Sequence, residues 1–239
     1  MTTLLGRISF CRSVTQFLLI LPILLLSVVA HEYAHAWTAY QQGDDTAHKL
    51  GRLTFNPLPH IDPFASVLLP ALLWFATSAS GHPFTFGAAR PVPINPANFR
   101  HLRRGDLIVS SAGIVMNLLL ALTCGACFIA IGLAGRAFPD ADVFTTLQYL
   151  AEVGISLNIL LAFFNLVPLP PLDGSHLFYH LLPAAWGEHY RRLGRYGFVV
   201  LLLTMWFLPG VWNAILTPVD RMTGAALSAL QPWALAGPK

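Results

Sequence analysis

Phe17-Leu18-Leu19-Ile20-Leu21-Pro22-Ile23-Leu24-Leu25-Leu26-Ser27-Val28-Val29-Ala30 runs directly into His31-Glu32-Tyr33-Ala34-His35-Ala36-Trp37. The apolar run could pass for a signal-peptide core, but no small-residue cleavage pattern and no helix breaker separates it from His31, so it reads as part of a membrane helix. We expect one helix from about Val14 to Tyr40, ended near Gly43. His31 and His35 are four residues apart and share a helix face, so both imidazoles can reach one metal ion. Glu32 sits beside them, placed to take a proton from water. Ionisable groups inside a membrane helix are costly and default to a functional role.

The rest of the chain fits a membrane setting. Of 239 residues, 55% are hydrophobic and only 10% charged, against roughly 25% charge in a soluble domain. That excludes a disordered chain and argues against an ordinary soluble one. A net charge of +3, with no basic run interleaved with aromatics, gives no reason to expect nucleic acid. Cys11, Cys124 and Cys127 cannot form a disulfide framework, and Cys124 and Cys127 lie in an apolar stretch where packing is the natural role. Further apolar segments run over Leu107–Leu133, Leu147–Leu169 and Phe198–Leu216. The expected fold is an all-α integral membrane bundle of about four to six helices, one polytopic domain over 1–239. Its core would span 14–174, with a last span and tail over 195–239. Phe64–Ala79 is short and holds Pro70, so it is expected to be re-entrant or peripheral.

A catalytic zinc needs a third protein ligand and an open position. Besides Glu32, only Glu152 and Asp173 are carboxylates in or next to an apolar span. Asp173 ends Asn165-Leu166-Val167-Pro168-Leu169-Pro170-Pro171-Leu172-Asp173-Gly174. The prolines should unwind the helix into an extended strip that aims Asp173 inward and offers backbone groups to a substrate. Asp173 is the stronger candidate for third ligand; helix capping is its alternative.

Together the two motifs resemble the site-2 protease family of intramembrane zinc metalloproteases. Gly51-Arg52-Leu53-Thr54-Phe55-Asn56-Pro57-Leu58 and Ala89-Arg90-Pro91-Val92-Pro93-Ile94-Asn95-Pro96 are similar to the small bacterial branch without a PDZ domain. The resemblance implies one zinc per chain on His31, His35 and Asp173, with water activation by Glu32. It also implies that Asn165 assists by hydrogen-bonding the substrate or the developing oxyanion. Family members commonly carry Ala-Gly-Pro-x-x-Asn, where this chain has Ala112-Gly113-Ile114-Val115-Met116-Asn117. Asn117 is expected to hydrogen-bond between helices. His60 and Asp62 read as a turn held between prolines. His176 and His180 read as ordinary exposed histidines. Glu152 needs a polar partner that the sequence does not name.

The expected activity is hydrolysis of peptide bonds in or near transmembrane segments of membrane proteins. The alternatives are a metal-dependent transporter or channel, and an inactive relative that only binds membrane proteins. If His31, His35 and Asp173 meet, an even number of crossings separates them. That places Lys49, Arg52, Arg90, Arg100, Arg103, Arg104, Arg191, Arg192 and Arg195 on one side and Arg136 on the other. By the positive-inside rule the site then faces the cytoplasm across a cell membrane. Partners would be a membrane-protein segment and lipid, with the oligomeric state open.

Overall fold

The computed structural model describes residues 2–78, 85, 87–138 and 142–235. They form nine α-helices joined by short 3-10 and π turns, with no strand among the described residues. The helices are α1 Thr2–Gln42, α2 Thr46–Lys49, α3 Leu69–Ser78, α4 Leu102–Gly135 and α5 Asp142–Leu166, followed by α6 Asp173–Tyr179, α7 Ala184–Leu193, α8 Gly197–Phe207 and α9 Pro209–Leu230. Val14–Gln42, Leu102–Gly135 and Asp142–Leu166 are long and apolar enough to cross a membrane, and α8 with α9 would supply a fourth crossing if counted together. The all-α membrane bundle is therefore present.

Three helices make the centre. Phe17 and Ile20 of α1 cluster with Val153 and Leu157 of α5, and further along Leu24 and Val28 cluster with Leu161, so α1 and α5 run parallel. Ser27 accepts a hydrogen bond from Asn158 between them at 2.9 Å. Between them α4 runs the other way: it approaches α1 at Val109 beside Ala39 and α5 at Ala121 beside Ile155. Small residues allow this closeness. A Cβ on Gly154 would lie 2.6 Å from Cys124 Sγ.

Several boundaries differ from expectation. Helix α1 begins at Thr2 and stops at Gly43, whose φ of 111° favours glycine. The apolar stretch after Asp62 is a π turn, Pro63–Leu68, leading into the short α3; residues 79–84 and 86 lie outside the described residues. Ile114 in place of proline leaves α4 unbroken. The expected last span does not run straight over 198–216: it bends by 92° at Leu208–Pro209, because proline has no N–H to continue the ladder. The second limb, α9, returns to the bundle. Val219, Leu216 and Leu227 of α9 pack on Ile155 and Ile159 of α5.

Residues 87–95 form an extended strap across the mouth of the bundle. Its backbone N–H groups at Ala88, Arg90 and Val92 are pinned at every second residue, as an extended backbone allows, and Asn95 holds its far end. Ala88 N–H donates to Ala65 C=O, and Arg90 N–H donates to His60 C=O at 2.7 Å. Asn95 N–H donates to Asp44 at 2.7 Å.

Candidate metal centre

His31, His35 and Asp173 come together although 142 residues, the difference between 173 and 31, separate the ends of the set. One ligand atom from each lies within 4.8 Å of the others, the group of this kind found among the described residues. His31 Nε2 and His35 Nε2 are 3.0 Å apart, and each lies 3.2 Å from Asp173 Oδ2. Ligands about 2.0–2.1 Å from a tetrahedral zinc stand about 3.3 Å from one another. The three atoms already have nearly that spacing.

The outer ring nitrogens fix the tautomers. His31 Nδ1–H donates to Asn117 Oδ1 at 2.6 Å, and His35 Nδ1–H donates to the Val109 carbonyl at 2.7 Å. Each Nε2 then presents a lone pair inward. Asp173 Oδ2 is buried and has no hydrogen-bond donor. Three lone-pair donors facing one another in a buried space is a poor arrangement without a cation. The donor set fits zinc.

Local sequence explains the convergence. The spacing of four puts both imidazoles on one face of α1. Gly113 lets α4 lie against them: a Cβ there would be 2.4 Å from His31 Cε1 and 2.5 Å from His35 Nε2. Asp173 opens α6, and a Cβ on the following Gly174 would strike Leu166 O at 2.2 Å, so only glycine passes that turn. The stretch from Val167 to Leu172 is not the extended strip expected. It is a chain of tight turns, with Leu169 N–H bonded to Val167 C=O and Leu172 N–H to Leu169 C=O. Its backbone is largely used internally, and the extended segment at the site is the strap instead.

Glu32 Oε2 accepts a hydrogen bond from Val92 N–H of the strap at 2.8 Å. Arg52, nearly buried, donates to the carbonyl of Arg90 at 2.7 Å and of Pro91 at 3.3 Å. Arg52 thus holds the backbone that holds Glu32. At the far end of the strap, Asp44 is 1% exposed. Burial pulls its carboxyl upward, but hydrogen bonds from Thr46, Asn95 and Asn98 outweigh that and hold it below the usual carboxylate range. His60 is fully buried, and burial lowers its pKa.

Glu32, His31, His35, Asp173 and Asn165 line one cavity of about 450 Å³. Asn165 reaches it, but its amide donates to Leu161 C=O at 3.0 Å. A second cavity of about 460 Å³ shares Pro96, Asp106, Pro171 and His176 with the first, so polar groups line a path from the site to the loop surface. His176 is exposed as expected, with Nδ1 3.3 Å from the Asp106 carboxylate, whereas His180 is not an ordinary surface histidine: its side chain is largely covered and its Nε2 lies 2.7 Å from the same carboxylate. Asp62 caps the turn that starts at Pro63, accepting from Phe64 and Ala65 N–H. Asn117 bridges α4 to α5 through Asn158 at 2.9 Å, as an interhelical residue should, and also grips His31. Sequence reasoning missed that grip, and it missed Gly113, Val92 and Arg52 as supports. The motifs containing them were visible; only the fold shows what they touch.

Comparison with known proteins identifies the family. The family model described as Peptidase family M50 matches residues 129–208. The chain is 37% identical over 197 residues to YwhC of Bacillus subtilis (strain 168), named as a zinc metalloprotease, covering 82% of this chain and 83% of YwhC. It is 34% identical over 207 residues to Rip2 of Mycolicibacterium smegmatis, likewise named, covering 82% and 72%. Rip2 of Mycobacterium tuberculosis (strain ATCC 25618 / H37Rv) is 32% identical over 229 residues, covering 90% and 80%. No solved structure matches the chain. With a relative this similar over most of both chains, the chain belongs to peptidase family M50, the site-2 proteases, and is a multi-pass intramembrane zinc metalloprotease.

Proposed function

We propose that His31, His35 and Asp173 hold the zinc of this protease and that Glu32 is its general base. The observation that carries the reading is the spacing of three inward lone-pair donors beside a carboxylate fixed by Val92 N–H. Zinc bound there supplies a Lewis acid that polarises a carbonyl and acidifies water. Glu32 takes one proton from the attacking water as its oxygen adds to the scissile carbonyl carbon. It then returns that proton to the amide nitrogen as the C–N bond breaks. Val92 N–H keeps one oxygen of Glu32 in place and leaves the other for the proton. Asn165 turns its amide from Leu161 C=O toward the substrate or the developing oxyanion.

His31 lies eleven residues before the end of α1 at Gln42, about 16 Å at helical rise. That depth lies within an apolar bilayer core, and the two joined cavities bring water to it. Membrane helices hide their carbonyls in hydrogen bonds, so the substrate segment must unwind where it is cut. Residues 1–239 work as one domain. The Lys and Arg residues grouped on the loops at the site's end support a site facing the cytoplasm.

Zinc content of the purified protein, measured beside Asp173→Ala and Glu32→Gln, tests the assignment. One zinc per chain in the parent and in Glu32→Gln, with a large loss in Asp173→Ala, is expected. Proteolysis of a membrane-protein substrate should vanish in both variants. Zinc unaffected by Asp173→Ala would overturn the ligand set.

A further inference from the structure

Glu152 lies ten residues into α5, about 15 Å from its start at Asp142. That is the middle of a bilayer core. It nonetheless points out of the bundle: its side chain is exposed, and among the described residues none forms an ion pair with it. A carboxylate facing lipid is costly unless a cation meets it. Glu152 also stands at the edge of a groove of about 240 Å³, formed by Ile20, Trp74, Thr85, Tyr149 and Ser156. Apolar walls with polar groups gathered at one place make a socket for a long side chain with a charged tip.

The groove lies next to the cavity of the metal centre, with adjacent residues of one helix, Leu160 and Leu161, bordering one and the other. Leu157, on its wall, packs against both Trp74 and Leu161 through neighbouring clusters, and Leu161 lines the catalytic cavity. Thr85 borders the groove, and Gly87, two residues on, borders the catalytic cavity. The two spaces therefore follow one another between α1 and α5.

We propose that this groove docks the transmembrane segment of the substrate, and that Glu152 pairs with a Lys or Arg at mid-bilayer depth in that segment. The proposal rests on the reading of the metal centre above. The pairing solves one problem for both partners, since an unpaired basic residue is as costly in lipid as an unpaired carboxylate. It also sets a register. From Glu152 to Leu161 is nine residues of helix, about 13.5 Å. The basic residue should therefore stand between about four residues (extended) and about nine residues (helical) from the scissile bond.

The test uses full-length protein carrying Glu32→Gln, purified in the presence of zinc and placed in lipid nanodiscs. The probes are labelled Leu/Ala transmembrane peptides with uncharged flanks and one central residue, Lys, Leu or Asp. The Lys peptide should bind at least tenfold more tightly than the Leu peptide. Glu152→Leu should abolish that preference, and Glu152→Lys should shift it to the Asp peptide. Equal binding of the Lys and Leu peptides, or a preference that survives Glu152→Leu, overturns the proposal. Zinc content is read on the same samples. Absence of zinc in every sample would sink the metal assignment while leaving the peptide preference intact. Full zinc with no preference would sink the docking site alone.

Discussion

His31 Nδ1–H donates a hydrogen bond to Asn117 Oδ1 across 2.6 Å, and the Asn117 amide N–H donates one to Asn158 Oδ1. Three helices are thereby locked to one imidazole orientation. Partners of this kind typically change metal affinity by about tenfold to a hundredfold. Asn117→Ala should weaken zinc binding by that factor without unfolding the bundle. Competition with a graded series of chelators measures it, and unchanged zinc affinity would contradict the role.

Gly113→Ala should do more damage than its single methyl suggests. The added carbon has no room between α4 and the two imidazoles, and both sides are helix backbone or metal-facing ring. Zinc should be lost with little change in helical content. Metal analysis and circular dichroism on one sample separate this from global unfolding.

Arg52→Ala should leave zinc in place and lower kcat by about tenfold to a hundredfold, the scale of a small misplacement of a reacting group. The loss would come through Val92, whose N–H no longer holds Glu32. Arg52→Lys should recover part of the rate, since one ammonium can still reach one of the two carbonyls. A rise in KM of that size with kcat unchanged would contradict the role.

His60 makes stability depend on pH. In the unfolded chain an imidazole titrates near 6.5, whereas burial lowers it in the fold. Below about pH 6.5 the unfolded chain therefore takes a proton that the folded one refuses. Stability falls as pH drops from there to the folded value, by up to about 1.4 kcal/mol per pH unit. Melting of detergent-solubilised protein between pH 7.5 and 5 should show a steeper decline for the parent than for His60→Gln. Parallel curves would rule it out.

The zinc pair and its helix were legible because the spacing of His31 and His35 says which face they share. Asp173 was legible because few carboxylates border an apolar span. The supports were not. Nothing in local sequence says that Asn117 will meet His31, 86 positions away, or that Arg52 will reach the Arg90 carbonyl. Such contacts follow from packing three helices together. The prolines after Asn165 misled for a related reason: they end the helix, but whether the chain then extends or coils into turns depends on what α6 and α8 leave room for. A Cβ on Gly197 would lie 2.7 Å from the Pro170 carbonyl.

The strap over residues 87–95 draws no metal ligand from itself, and the proposed ligands draw none of their fixings from the strap beyond the shared neighbour Glu32. Metal loading and turnover are then separately adjustable. Any force that peels the strap from Asp44, His60 and Arg52 would leave a fully charged but silent protease, restored without a new ion when the strap settles back.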